Sequence, residues 1–309
     1  MMNNEHIPVL LNEVIDGLNI KKDGTYLDLT LGRAGHSSEI LKRIDKGLLI
    51  GVDQDDEAIE KSRVRLSEIR DNFILVRDNF VNIDSILSNL KIDKVDGILM
   101  DLGVSSPQFD DQSRGFSYRY DSELDMRMDK RKELTAKKVV NEYPLEELVR
   151  IFNEYGEEKY SYSIAKRIVS EREIHPINTT FELVDIIKRS KPMKELNKVG
   201  HPAKQIFQAL RIEVNDEINV LKKTLIKALN HLNHNGRLAV ITFHSGEDKI
   251  VKKLFKDLTV VEGNRYDLPI ESKKVDYLLI TKKGIKPSEE EIKNNHRSTS
   301  SVLRIIEKI

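Results

Sequence analysis

The chain of 309 residues contains no cysteine and no tryptophan. Without a thiol there is no disulfide, no zinc–thiolate or iron–sulfur site and no thiolate nucleophile. Net charge is missing as well. The 51 Lys and Arg balance the 51 Asp and Glu, so any nucleic-acid footprint has to be local. No uninterrupted apolar run approaches the length of a membrane span. Met1 to Leu18 carries no basic leader, and Asn12, Glu13 and Asp16 interrupt its apolar positions, so no signal peptide is expected. The expectation is a soluble, cytoplasmic chain, long enough to bury a large core divided between two lobes.

What is present is organised around residues 25–36, Thr-Tyr-Leu-Asp-Leu-Thr-Leu-Gly-Arg-Ala-Gly-His. Tyr26, Leu27, Asp28 and Leu29, bounded by Gly24 and Gly32, read as a short buried strand. Gly32 and Gly35 permit a tight turn, and Ser37 and Ser38 supply hydroxyl caps for a helix. Such a turn brings backbone N–H groups close to a ligand. A second strand over residues 48–52 ends on Asp53, eighteen residues beyond Gly35. An acid there commonly takes the ribose hydroxyls of a nucleoside cofactor. The diphosphate fingerprint G-x-G-x-x-G is incomplete in Gly32-Arg33-Ala34-Gly35, which argues against a nicotinamide oxidoreductase. Asp28, just before the turn, suits a cationic ligand better than a diphosphate. S-adenosylmethionine, with its sulfonium, amino group and ribose, is such a ligand. An ordinary βα turn with nothing bound is the plain alternative.

Further along, surface-helix spacing covers residues 55–69, and Phe73 to Val76 is a third strand followed by Asp78, Asn79 and Phe80. A helix over 81–90 and a strand over 95–100 ending on Asp101 continue the βα rhythm, which implies a parallel sheet with right-handed crossovers. Ligands of such sheets sit outside the carboxyl ends of the strands, which places the glycine turn, Asp53, Phe80 and Asp101 on one rim. From about Asp111 to Lys204 strand patterns vanish and helical ones appear at 145–155, 158–172 and 180–191. That stretch holds 19 basic and 17 acidic side chains, so it is no polybasic arm. It reads as an inserted helical lobe, or as extra helices laid on the sheet. One long helix is expected from Ala203 to Leu232, stopped by Asn235-Gly236. A strand over 237–243 then delivers His244 and Ser245, a helix covers 249–258, and strands at 277–280 and 301–306 close the pattern.

The loop after Asp101 reads Asp-Leu-Gly-Val-Ser-Ser-Pro-Gln, followed by Leu-Asp-Met-Arg-Met-Asp over 124–129. With His6-Ile7-Pro8, the Gly-x-x-Gly-His turn, Tyr155-Gly156-Glu157-Glu158, His201-Pro202-Ala203, and Phe243-His244-Ser245 before Glu247-Asp248, the chain resembles the bacterial small-subunit ribosomal RNA cytosine-N4 methyltransferases nearly end to end. The resemblance implies an α/β, class I methyltransferase (Rossmann-like), mostly parallel seven-stranded sheet. It implies S-adenosylmethionine as cofactor, bound by residues 1–110 and 205–309, with residues 111–204 as an inserted helical domain for RNA. By position, the cofactor contacts would be Ala34, Gly35, His36, Asp53, Phe80, Asp101 and Gln108. The family usually has glycine at position 34, where a methyl requires a negative φ, and leucine at 246, where glycine loosens the loop carrying His244. The partner implied is 16S ribosomal RNA within the small ribosomal subunit. No metal, membrane or DNA partner is expected, and a homodimer stays open. A non-catalytic RNA-binding or ribosome-assembly factor on the same fold is the rival reading.

Cytosine N4 is a weak nucleophile because its lone pair is delocalised into the ring. Direct methyl transfer needs an acceptor for its N–H groups and an in-line approach, but no covalent intermediate, in keeping with the missing cysteine. Asp101 is the leading acceptor, alternatively a ligand of the cofactor's methionine end; His244 is a second candidate base, alternatively a capping residue. Arg114, Arg119, Arg127 and Arg131 either meet phosphates or pair internally with Asp121, Glu123, Asp125 and Asp129. Ser105 and Ser106 read as turn caps. Phe109, Phe116 and Tyr118 are candidates to stack on an exposed base, or to fill the core.

Overall fold

The computed structural model describes residues 8–103, 111–259 and 275–309. Seven strands build one sheet: β1 (Thr25–Asp28), β2 (Leu48–Asp53), β3 (Phe73–Arg77), β4 (Val95–Asp101), β5 (Leu232–Thr242), β6 (Tyr277–Leu279) and β7 (Val302–Lys308). Their order is β3-β2-β1-β4-β5-β7-β6, with β7 antiparallel to both its neighbours and the pairs from β3 to β5 parallel. This is the class I methyltransferase sheet, mostly parallel, as the sequence leads one to expect.

The strands are apolar on both faces because helices cover both. Side chains alternate along a strand, so Leu27, Ile50, Ile98 and Leu238 enter one core while Tyr26, Leu49, Leu99 and Ala239 enter the other. Helices α1 (Leu11–Leu18), α2 (Gly35–Arg43) and α3 (Asp56–Ser67) pack on the Tyr26 side through Val14, Ile40, Leu41 and Leu66. On the opposite side lie α4 (Ile83–Asn89) and two helices from later in the chain, through Ile86, Leu225 and Phe255.

The chain divides into two compact units, one of residues 1–103 with 220–309 and one of residues 104–219. The second has its own apolar core. It is built by α5 (Ala136–Glu142), α6 (Leu145–Glu154), α7 (Ser161–Arg172), α8 (Thr180–Arg189), the short α9 (Met193–Leu196) and α10 (Lys204–Asn215). This core shares no member with the two cores of the sheet, and the unit's boundary lies fifteen residues later than the expected 204, at Asn219. The cause is a break in what reads as one long helix from Ala203. Asp216 adopts φ 55°, a left-handed conformation that Asp tolerates, and separates α10 from α11 (Glu217–Asn230). Ile206, Phe207, Leu210 and Val214 of α10 then belong to the helical core.

A second correction falls at Asn235-Gly236. These do not stop the helix, which ends at Asn230, but lie within β5, where the register against β4 shifts. Asn235 has φ 60°, and a Cβ on Gly236 would stand 2.8 Å from the Asn233 carbonyl oxygen, so the pair makes a bulge instead of a cap. No helix among the described residues is long and apolar enough to cross a membrane.

Candidate active site

Strands β1, β2 and β4 run parallel and end on Asp28, Asp53 and Asp101, so three carboxyl groups reach the same rim of the sheet. Asp28 is buried and accepts hydrogen bonds from the Ser37 hydroxyl (2.7 Å) and the Thr30 N–H (3.1 Å). Burial pushes its pKa up, against the pull of these donors. Thr30 ties two strand ends together, its hydroxyl accepting from the Asp101 N–H at 2.6 Å while its N–H serves Asp28.

Asp53 staples the glycine turn. One carboxyl oxygen accepts the Gly32 N–H and the other the Asp55 N–H, both at 2.9 Å. Its pKa rises to about 6, mainly by burial. Each carboxylate oxygen has a second lone pair, so both remain able to accept from ribose hydroxyls. The turn itself holds Gly32 at φ 51° and Ala34 at φ 56°. Ala34 therefore does not take the negative φ that a side chain there calls for; its methyl is fully buried and sits in the left-handed region before α2. Gly35 opens α2 with no room for a side chain, since a Cβ would collide with the Pro8 ring.

His36 lies one residue into α2 with its ring buried. Nε2 is 2.9 Å from the Val9 carbonyl oxygen, so that nitrogen carries the proton and Nδ1 keeps its lone pair. Burial lowers the pKa to about 4, leaving a neutral imidazole. Nδ1 lies 3.7 Å from Oδ2 of Asp101. The other oxygen of Asp101, Oδ1, is buried and has no hydrogen-bond partner. Its pKa rises to about 8, first through burial, then through the negative charge of Asp28 and Glu247. Among the described residues no Lys or Arg pairs with any of the three strand-end acids.

Beyond β5, His244 precedes α12 (Ser245–Thr259). Its Nδ1 accepts the Glu247 N–H at 3.4 Å, which is a helix-capping role. Nε2 is buried without a hydrogen-bond partner; Oε1 of Glu247 stands 3.2 Å away, close but poorly aligned. Glu247 is buried and its Oε2 accepts the Phe243 N–H at 2.8 Å. Arg304 of β7 forks onto Asp248 at 2.7 and 3.0 Å, fixing the start of α12 from a neighbouring strand. Gly246 is thus not a loosened loop but part of the first turn of α12, and a Cβ there would press on His244 at 3.1 Å. Phe80 opens a single 3₁₀ turn after β3 and packs half-buried against the core. Gln108, with Ser105, Ser106 and Phe109, lies outside the described residues.

In the helical unit two of the four candidate arginines, Arg114 and Arg127, turn inward. Arg114 is buried and donates to the carbonyls of Arg127 and Met128; Arg127 forks onto Asp125 at 2.7 and 2.9 Å; Arg131 holds Asp129. Arg119 and Arg131 are exposed, and Arg119 makes no ion pair among the described residues. Phe116 is core. Tyr118 is half-buried and stacks on His201, centroids 4.2 Å apart and 6° from parallel. Two residues escaped sequence reasoning. Glu158 and Lys191 form a buried ion pair at 2.6 Å, and Lys191 also donates to the Pro202 carbonyl, so the Gly-Glu-Glu and His-Pro-Ala motifs are parts of one internal brace. Nothing in the periodicity around Lys191 distinguishes it from a solvated lysine.

A model described as the MraW methylase family matches residues 3–309. The chain is 54% identical over 309 residues to the ribosomal RNA small subunit methyltransferase H of Mesoplasma florum, covering 98% of this chain and 99% of that one. It is 53% identical over 308 residues to the protein of the same name from Clostridium botulinum (strain Loch Maree / Type A3), covering 99% of each. Among solved structures, an rRNA methylase from Streptococcus thermophilus aligns over 98% of this chain and 99% of its own at 12% identity, with a TM-score of 0.45.

Proposed function

Since the chain belongs to the MraW methylase family, we propose that it transfers a methyl group from S-adenosylmethionine to the exocyclic N4 amine of a cytidine in small-subunit (16S) ribosomal RNA. The observation that carries the reading is the rim of uncompensated acids. Asp28, Asp53 and Asp101 converge without a basic partner, and Asp101 leaves one buried oxygen unbonded. Such a set is costly by itself and fits a ligand that brings positive charge and hydroxyl donors. A diphosphate would add like charge to it. The donor set therefore matches S-adenosylmethionine: Asp53 for the ribose, the Ala34–Gly35 backbone at the start of α2, Phe80 beside the β3 end, and Asp101 or Asp28 toward the cationic end.

When bound, the cofactor supplies an electrophilic methyl group. The protein's residues supply position and a proton acceptor. As the amine nitrogen gains the methyl carbon it sheds one N–H proton, and Oδ1 of Asp101 is the acceptor. His36, neutral and fixed in tautomer by the Val9 carbonyl, packs beside Oδ2 of Asp101 without donating to it. Alignment supplies the larger share of the barrier reduction, about 7–11 kcal/mol, because delocalisation leaves the amine a weak nucleophile. His244 is the second candidate, but with Nδ1 accepting the Glu247 N–H its Nε2 carries the proton, so it would serve as a base only by giving up the cap of α12, which by itself accounts for its place.

Labelled methyl transfer to small ribosomal subunits, followed by nucleoside analysis, tests the proposal. Asp101→Asn should lower kcat by about 10²–10⁴-fold, and Asp53→Ala should act first on the cofactor's Kd. Label on a ribose or on a ring carbon would refute the chemistry. Undiminished transfer by Asp101→Asn would favour the non-catalytic role for that residue. The chain's zero net charge also argues that counterion release alone does not hold it strongly on naked RNA, and that its substrate is a structured, protein-bearing particle. Faster methylation of the naked transcript than of assembled subunits would contradict that.

A further inference from the structure

We infer that one face of the helical unit, carrying Arg119, Tyr120, Phe181 and Lys188, is a docking surface for a single-stranded segment of the RNA substrate. The inference rests on the ribosomal RNA reading above and adds to it which face of the helical unit the strand meets. Tyr120 and Phe181 are exposed at 44% and 47%, an uncommon state for two neighbouring aromatic residues. They are neighbours because the Thr180 hydroxyl at the start of α8 donates to the Tyr120 carbonyl at 2.6 Å. Phe181 and Lys188 lie seven residues apart on α8, two turns along the same stripe.

Of the acids near this face, Asp185 pairs with Arg189 at 2.8 Å, and Asp121 accepts the Phe181 N–H at 3.2 Å. Arg119 and Lys188 are exposed and, among the described residues, make no ion pair or hydrogen bond through their side chains. Both lie near His201, where with Lys191 they add to burial in holding the imidazole pKa down. His201 is stacked on Tyr118, whose edge meets Phe207 at 5.6 Å, so the cations flank a rigid ring stack braced by Glu158 and Lys191. Free aromatic faces beside unpaired cations bind bases by stacking and phosphates by charge, the combination that holds single strands.

The test uses the full chain and a fluorescein-labelled, mixed-sequence single-stranded oligoribonucleotide, with anisotropy read across roughly 50–200 mM salt. Arg119→Gln with Lys188→Gln should flatten the slope of log affinity against log salt by about 1.4, because each cation on a single strand contributes about 0.7. Tyr120→Ala with Phe181→Ala should lower affinity at least about fivefold at every salt concentration and leave the slope unchanged. All four positions are exposed, and an unaltered helical circular dichroism spectrum and melting temperature would show that the variants are folded. Unchanged slope and affinity in variants of an enzyme that methylates small subunits would overturn the inference. So would variants impaired on assembled subunits yet normal on the oligonucleotide, which would give the face to a ribosomal protein. A wild-type chain that methylates no RNA would instead defeat the underlying functional reading.

Discussion

Ala34 and Asp101 show how single positions set the character of the site. Ala34 pays left-handed strain of about 1–2 kcal/mol for a methyl whose burial returns about 0.8 kcal/mol. Ala34→Gly should therefore leave the urea midpoint unchanged or raise stability by up to about 1 kcal/mol; a clear loss would mean the methyl matters more than the strain. Asp101 governs the response to pH. Its folded pKa of about 8 stands above the ordinary 3.8, so its protonated form stabilises the fold below that ordinary value, and the contribution is lost as pH rises through about 8. His36, lowered to about 4, works in the opposite sense between about 4 and 6.5. Above 6.5 the Asp101 effect stands unopposed, so the melting temperature of the unliganded protein should fall between pH 6.5 and 8. Asp101→Asn should flatten that fall. A cationic cofactor favours the ionised carboxyl, so calorimetry in buffers of different ionisation enthalpy should register proton release on binding in the same window.

At the scale of elements, the brace between Glu158 and Lys191 invites the sharpest stability test. Both side chains are almost fully buried, and removing one leaves the other charged and unpaired. Glu158→Ala should cost about 3–5 kcal/mol, measured by urea denaturation, whereas Glu158→Gln with Lys191→Met should recover much of it. The βα rhythm, the strand-end acids and the glycine turn were legible in the sequence because each rests on local spacing and on the apolar runs of a sheet buried on both sides. Asp216 was not, because α10 and α11 share one continuous periodicity and only the tertiary demand of two cores breaks it. Asn235-Gly236 reads as a helix stop by composition, while its role as a bulge depends on β4 lying alongside. Arg114 and Arg127 show the same limit: spacing cannot tell a phosphate ligand from an arginine whose carboxylate or carbonyl partners are supplied by the fold.

For the whole molecule, the helical unit has a core whose members all come from residues 116–214. Expressed alone, residues 104–219 should give a helical circular dichroism spectrum and a cooperative melt; a broad, non-cooperative transition would mean that the α/β unit is needed to order it. The α/β unit has the contrary property. Its central β4–β5 pair joins segments more than a hundred residues apart in sequence, and β7, the last strand in chain order, wedges between β5 and β6. Through Arg304 that strand also clamps the helix that follows His244. A nascent chain can therefore close the core of its insert before β5 and β7 exist, whereas the rim that carries Asp101 waits for both strands to flank β4 and brace the helix beyond it.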